Sequence, residues 1–65
     1  MLPESRKALE YLHGLKKAPT VDTFKKEFEP NGDFILNSIL ESHVDVVKGK
    51  VVLNENGVRF ATGVN

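Results

Sequence analysis

The chain has 65 residues, 40% hydrophobic and 28% charged, with nine basic residues against nine acidic ones and no cysteine. That length suits one small domain over residues 1–65, the mixed charge argues against a disordered tail, and the lack of cysteine excludes a disulfide framework or a thiolate metal site. Zero net charge supplies no whole-molecule pull toward nucleic acid or anionic lipid, and no apolar run nears the roughly 20 residues of a membrane span, so a cytoplasmic protein without membrane contact is expected.

In chain order, Pro3 suits a first helical turn, and Ala8, Leu9, Leu12 and Leu15 form one apolar stripe from Glu4 to about Lys17. Gly14 weakens that helix, and Ala18-Pro19 is expected to end it. Thr20 reads as an N-cap for a second helix over roughly 20–28, with Val21, Phe24 and Phe28 at helical spacing. Glu29-Pro30-Asn31-Gly32 is a turn, after which Asn31 or Asp33 is expected to cap a third helix. Its inward stripe is Ile35, Leu36, Ile39, Leu40 and His43, and Phe34, Asn37, Ser38 and Glu41 face outward. Two valine-rich runs, Val44 to Val47 and Lys50 to Leu53, flank Lys48-Gly49 and predict a hairpin. Beyond a second turn signal, Asn54 to Gly57, the segment Val58 to Ala61 is expected to be a third strand, with a short capped segment packed on the helices as the alternative.

Three helices, a tight turn between the second and third, and a hairpin make an α+β layout that resembles the winged helix-turn-helix family. The wording from Leu40-Glu41-Ser42-His43-Val44 through the hairpin to Leu53-Asn54-Glu55-Asn56-Gly57 resembles that of small bacterial and archaeal regulators of this family. The resemblance covers the chain from the first helix to Gly57. It implies double-stranded DNA as partner, with the third helix at the major groove and the wing on the backbone. On that reading Asn37 and Ser38 contact base or phosphate, and Lys25, Lys26, Lys48 and Lys50 contact phosphates.

This chain departs from the DNA-reading members in one respect: its third helix contains no Lys or Arg. Cations set against phosphates drive duplex binding, so the alternative expectation is a protein-interaction module whose contact surface is Phe34, Asn37, Ser38 and Glu41. The ordinary role of Phe34 is partial burial under the hairpin or the second helix, and its exposure is the feature that favours a protein partner. The ordinary role of Lys48 and Lys50 is to keep a hairpin edge soluble. A homodimer through a strand at Val58 to Ala61 is a third arrangement. His13 and His43 lack metal-ligand spacing, and no phosphate loop, nucleophile elbow or acid–base pair is present, so neither catalysis nor a cofactor or metal is expected.

Overall fold

The computed structural model describes residues 3–62, which fold as four helices and a two-stranded antiparallel hairpin. Helix α1, Pro3–Gly14, buries Ser5, Ala8, Leu9 and Leu12 on one face. It ends before the expected Lys17, at the glycine that weakens it. The next residues form a loop whose far end pairs with the hairpin: Val51 N–H donates to the Pro19 carbonyl (2.8 Å), and Val21 N–H donates to that of Gly49 (3.1 Å). Leu15 leaves the inward stripe with the helix and is 39% exposed.

Helix α2, Val21–Glu27, starts where Thr20 predicts it. The Thr20 hydroxyl accepts from the Thr23 amide at 3.1 Å, satisfying one of the helix's orphan donors. Phe24 is fully buried and stands 5.0 Å, centroid to centroid, from Phe28, which Tyr11 meets edge-on at 5.4 Å. This aromatic cluster ties α2 to α1.

The third helix, α3, begins as Gly32–Phe34 and continues as a π-helical turn, Ile35–Ile39. The Leu40 amide reaches back five residues to the Ile35 carbonyl at 2.9 Å. The helix stops at Ile39 and does not reach His43. Ile35, Leu36 and Leu40 are buried as expected, but His43 lies in the following turn, half-buried, with its ring 5.1 Å from that of Phe60. Asn31 occupies the N-cap position without a side-chain cap bond, and Asp33 lies inside the first turn. Neither residue caps the helix through its side chain. Gly32 is required by close approach, since a Cβ there would collide with the Lys25 backbone.

Strands β1, Val44–Val47, and β2, Lys50–Leu53, pair with Val44 opposite Leu53 and Val47 opposite Lys50. Lys48 (φ 53°) and Gly49 (φ 77°) both have positive φ, the geometry of a type I′ turn that matches the strands' twist. A bridge between Thr20 and Lys50 covers the other side of β2. The neighbour of β2 on that side thus comes from the α1–α2 connection.

The segment favoured as a third strand is a helix, the capped segment packed on the helices that was the alternative. Helix α4, Glu55–Ala61, is capped by Asn54, whose Oδ1 accepts from the amides of Asn56 (2.9 Å) and Gly57 (3.1 Å). The Asn54 and Asn56 side-chain amides both donate to the Ser42 carbonyl, at 3.1 and 3.2 Å, and the Asn54 backbone N–H donates to that of His43. These bonds fasten the start of α4 to the turn after α3. At its other end the Arg6 guanidinium donates to the Phe60 carbonyl, and α4 lies along α1. Val58 to Ala61 is therefore helical and presents no strand edge in this conformation. The core comprises Ala8, Leu9, Leu12, Phe24, Ile35, Leu36, Leu40, Val44 and Val51.

Candidate functional site

Because Ile35, Leu36 and Leu40 commit one side of α3 to the core, the opposite side must present Phe34, Asn37 and Ser38. All three are exposed, Phe34 at 60%. Partial burial of this ring under the hairpin or α2 does not occur. Glu41 is exposed too, but in the turn beyond the helix. Phe34, Ile35 and Ile39 line a surface groove of about 270 Å³, with Glu4 from the first turn of α1 and Asn31 on its rim.

One carboxylate organises the start of this face. Asp33 Oδ1 accepts from the Lys25 ammonium at 2.8 Å and from the Asn37 side-chain amide at 2.9 Å. The Lys25 hydrogen bond and its positive charge hold the Asp33 carboxyl below the usual carboxylate range, with Asn37 adding to the effect. Two of the six residues expected to meet DNA thus spend their donors inside the protein. Lys25 is also partly buried, because the close approach at Gly32 brings its backbone against α3.

The remaining cations lie elsewhere. Lys26 is exposed on α2, and Lys48 and Lys50 are exposed on the hairpin, whose turn hydrogen-bonds to the start of α2. Lys25 stands four helical residues, about 6 Å of rise, from the Val21 end to which the hairpin turn is bonded. The structure joins Lys25 to Asn37 through Asp33, and Lys48 and Lys50 take no part in that link. Beside the lysines, Val46 and Val47 are 55% and 51% exposed.

Asp33, read from the sequence as a possible cap, Glu4 and the hairpin valines were not among the expected contact residues. One signal would have found the acidic character of this region: from Glu27 to Val47 the chain has five carboxylates and no Lys or Arg. Among the described residues no group of three or more His, Cys, Asp or Glu side chains is placed to hold a metal ion, and no helix is long and apolar enough to cross a membrane. Among known proteins, no family model, no curated protein and no solved structure matches this chain.

Proposed function

We propose that this protein is a winged-helix interaction module, not an enzyme, that captures a protein partner on the outer face of α3. The element order, with a tight turn before α3 and a hairpin after it, supports the winged-helix assignment. The observation that carries the interaction reading is Phe34, a large aromatic left 60% exposed beside an apolar groove on a helix without cations. Anchors of this kind dominate protein interfaces, whereas a duplex requires cations against its phosphates. A phenylalanine buries about 150–250 Å², so covering the exposed share of Phe34 removes roughly 90–150 Å² from water. At ~25 cal/mol per Å² that contributes about 3 kcal/mol, or roughly a hundredfold in Kd. Ser38, and Asn37 once it leaves Asp33, supply the polar rim.

The test is a photocrosslinking side chain placed at position 34 or 38 in the living cell, with position 10 as the control on an exposed site of α1. Protein adducts at 34 and 38 that are absent at 10 support the reading. Equal labelling at all three positions contradicts it.

A second reading is favoured by the hairpin. Lys48 occupies a left-handed backbone position that costs a non-glycine residue about 1–2 kcal/mol, and it does so beside Lys50 on a turn anchored by backbone hydrogen bonds. A cation kept at that cost suits contact with the phosphates of double-stranded DNA, led by the wing, with little base readout from α3. Lys48→Gln should then reduce the slope of log Kobs against log salt by about one, equally for unrelated duplexes. An unchanged slope removes the second reading.

A further inference from the structure

We infer that the partner seated on the α3 groove is a second copy of this chain, which inserts its hairpin. This rests on the interaction reading above and names its occupant. The two surfaces are complementary within one molecule. The groove is lined by Phe34, Ile35 and Ile39 with Glu4, and Glu41 is exposed two residues along the chain from Ile39. Around it, Glu29, Asp33 and Glu41 are the charged residues between Glu29 and Ser42, and Asp33 is paired with Lys25. The hairpin offers the opposite chemistry: exposed Val47 beside Lys48 and Lys50, with exposed Val46 on the other face of the ribbon. In the strand register Val47 stands opposite Lys50, so an apolar side chain and a cation emerge together from one face of the ribbon. Asp45, opposite Val52, is the carboxylate on that face, one step nearer the hairpin base.

The hairpin turn of the same chain is held elsewhere, bonded to the start of α2, whereas the groove is lined by α3, Asn31 and Glu4 and by no hairpin residue. Insertion is therefore between molecules. A net charge of zero removes the self-repulsion that would oppose it. The contact joins two different surfaces, so it yields either a reciprocal pair or a head-to-tail chain, according to whether the rotation closes.

Sedimentation velocity of the full chain over a hundredfold concentration range, at low and high salt, reads the association directly. The expected result is a weight-average mass that rises with concentration and falls back as salt increases. Phe34→Ala and the double change Lys48→Glu with Lys50→Glu should each give a monomer, and an equimolar mixture of the two variants should restore a 1:1 complex, since one retains the hairpin and the other the groove. A protein that stays monomeric at every concentration overturns the inference. So does association that both variants leave unchanged. To separate this failure from failure of the interaction reading, the amide spectrum is followed while acetyl-Val-Val-Lys-Gly-Lys-amide is added. A monomeric chain whose Phe34, Ile35 and Ile39 resonances shift retains its groove and loses only the second-copy assignment, whereas a monomeric chain with a silent groove loses both.

Discussion

Replacing Asn54 by alanine tests how the last element is held. The side chain does two things: its Oδ1 caps α4 by accepting from Asn56 and Gly57, and its Nδ2 donates to the Ser42 carbonyl. Loss of an N-cap costs about 1 kcal/mol, and loss of a side-chain hydrogen bond about 0.5–1.5 kcal/mol. The sum is roughly 2 kcal/mol, which in a domain of this size lowers Tm by about 8–16 °C. Asn54→Asp keeps the acceptor and places a carboxylate at a helix N-terminus, so it should lose only the Ser42 bond and fall between alanine and wild type. Thermal unfolding followed by circular dichroism at 222 nm measures all three proteins. If Asn54→Ala melts within 2 °C of wild type, or Asn54→Asp is no better than alanine, the Asn54 cap does not hold α4 in place.

Four further outcomes follow from the geometry. Phe24→Ala, at a fully buried ring, should cost about 3–5 kcal/mol and leave little folded protein, while Phe34→Ala should stay within about 0.5 kcal/mol of wild type in urea unfolding. Lys48→Asn should stabilise the hairpin by about 0.5–1 kcal/mol, because asparagine tolerates the left-handed conformation, and Gly49→Ala should destabilise it by about 1–2 kcal/mol; Tm reads both. Gly32→Ala should weaken the fold by forcing α2 away from α3, which appears as faster amide exchange at Ile35 and Leu36. For Asp33 the folded-state pKa lies below its ordinary value of 3.8, so the contribution of its pairing is complete above that value and is lost as pH falls through the lowered pKa. The Tm of Asp33→Asn should accordingly lie slightly below wild type at pH 7 and meet it in strong acid; a gap that widens in acid would contradict the pairing.

Local chemistry made several elements legible. Thr20 announces α2 because a hydroxyl before a helix has one obvious amide to satisfy, and Lys48-Gly49 between valine runs admits a two-residue hairpin. The apolar spacing of α3 placed Phe34, Asn37 and Ser38 outward although the helix itself contains a π turn. Where long-range partners decide, the favoured sequence reading failed, and for the last segment the alternative holds. Asn54 to Ala61 has an asparagine-glycine pair followed by valine and phenylalanine, which suits a turn and a strand, and α4 forms because Asn54 and Asn56 find the Ser42 carbonyl and α1 offers a surface. The end of α1 at Gly14 depends on the loop being drawn to β2, and the quenching of Lys25 and Asn37 depends on Asp33 folding between them. Partners that lie turns or elements apart leave no periodic trace.

The central claim is that the outer face of α3 meets protein and does not read a DNA groove. A residue-resolved amide titration with a mixed-sequence duplex at low salt tests it most directly. The account predicts that Phe34, Asn37 and Ser38 stay unperturbed, with any shifts confined to Lys48, Lys50 and their neighbours and fading as salt rises. Shifts centred on Asn37 and Ser38 would contradict it and assign the face to DNA.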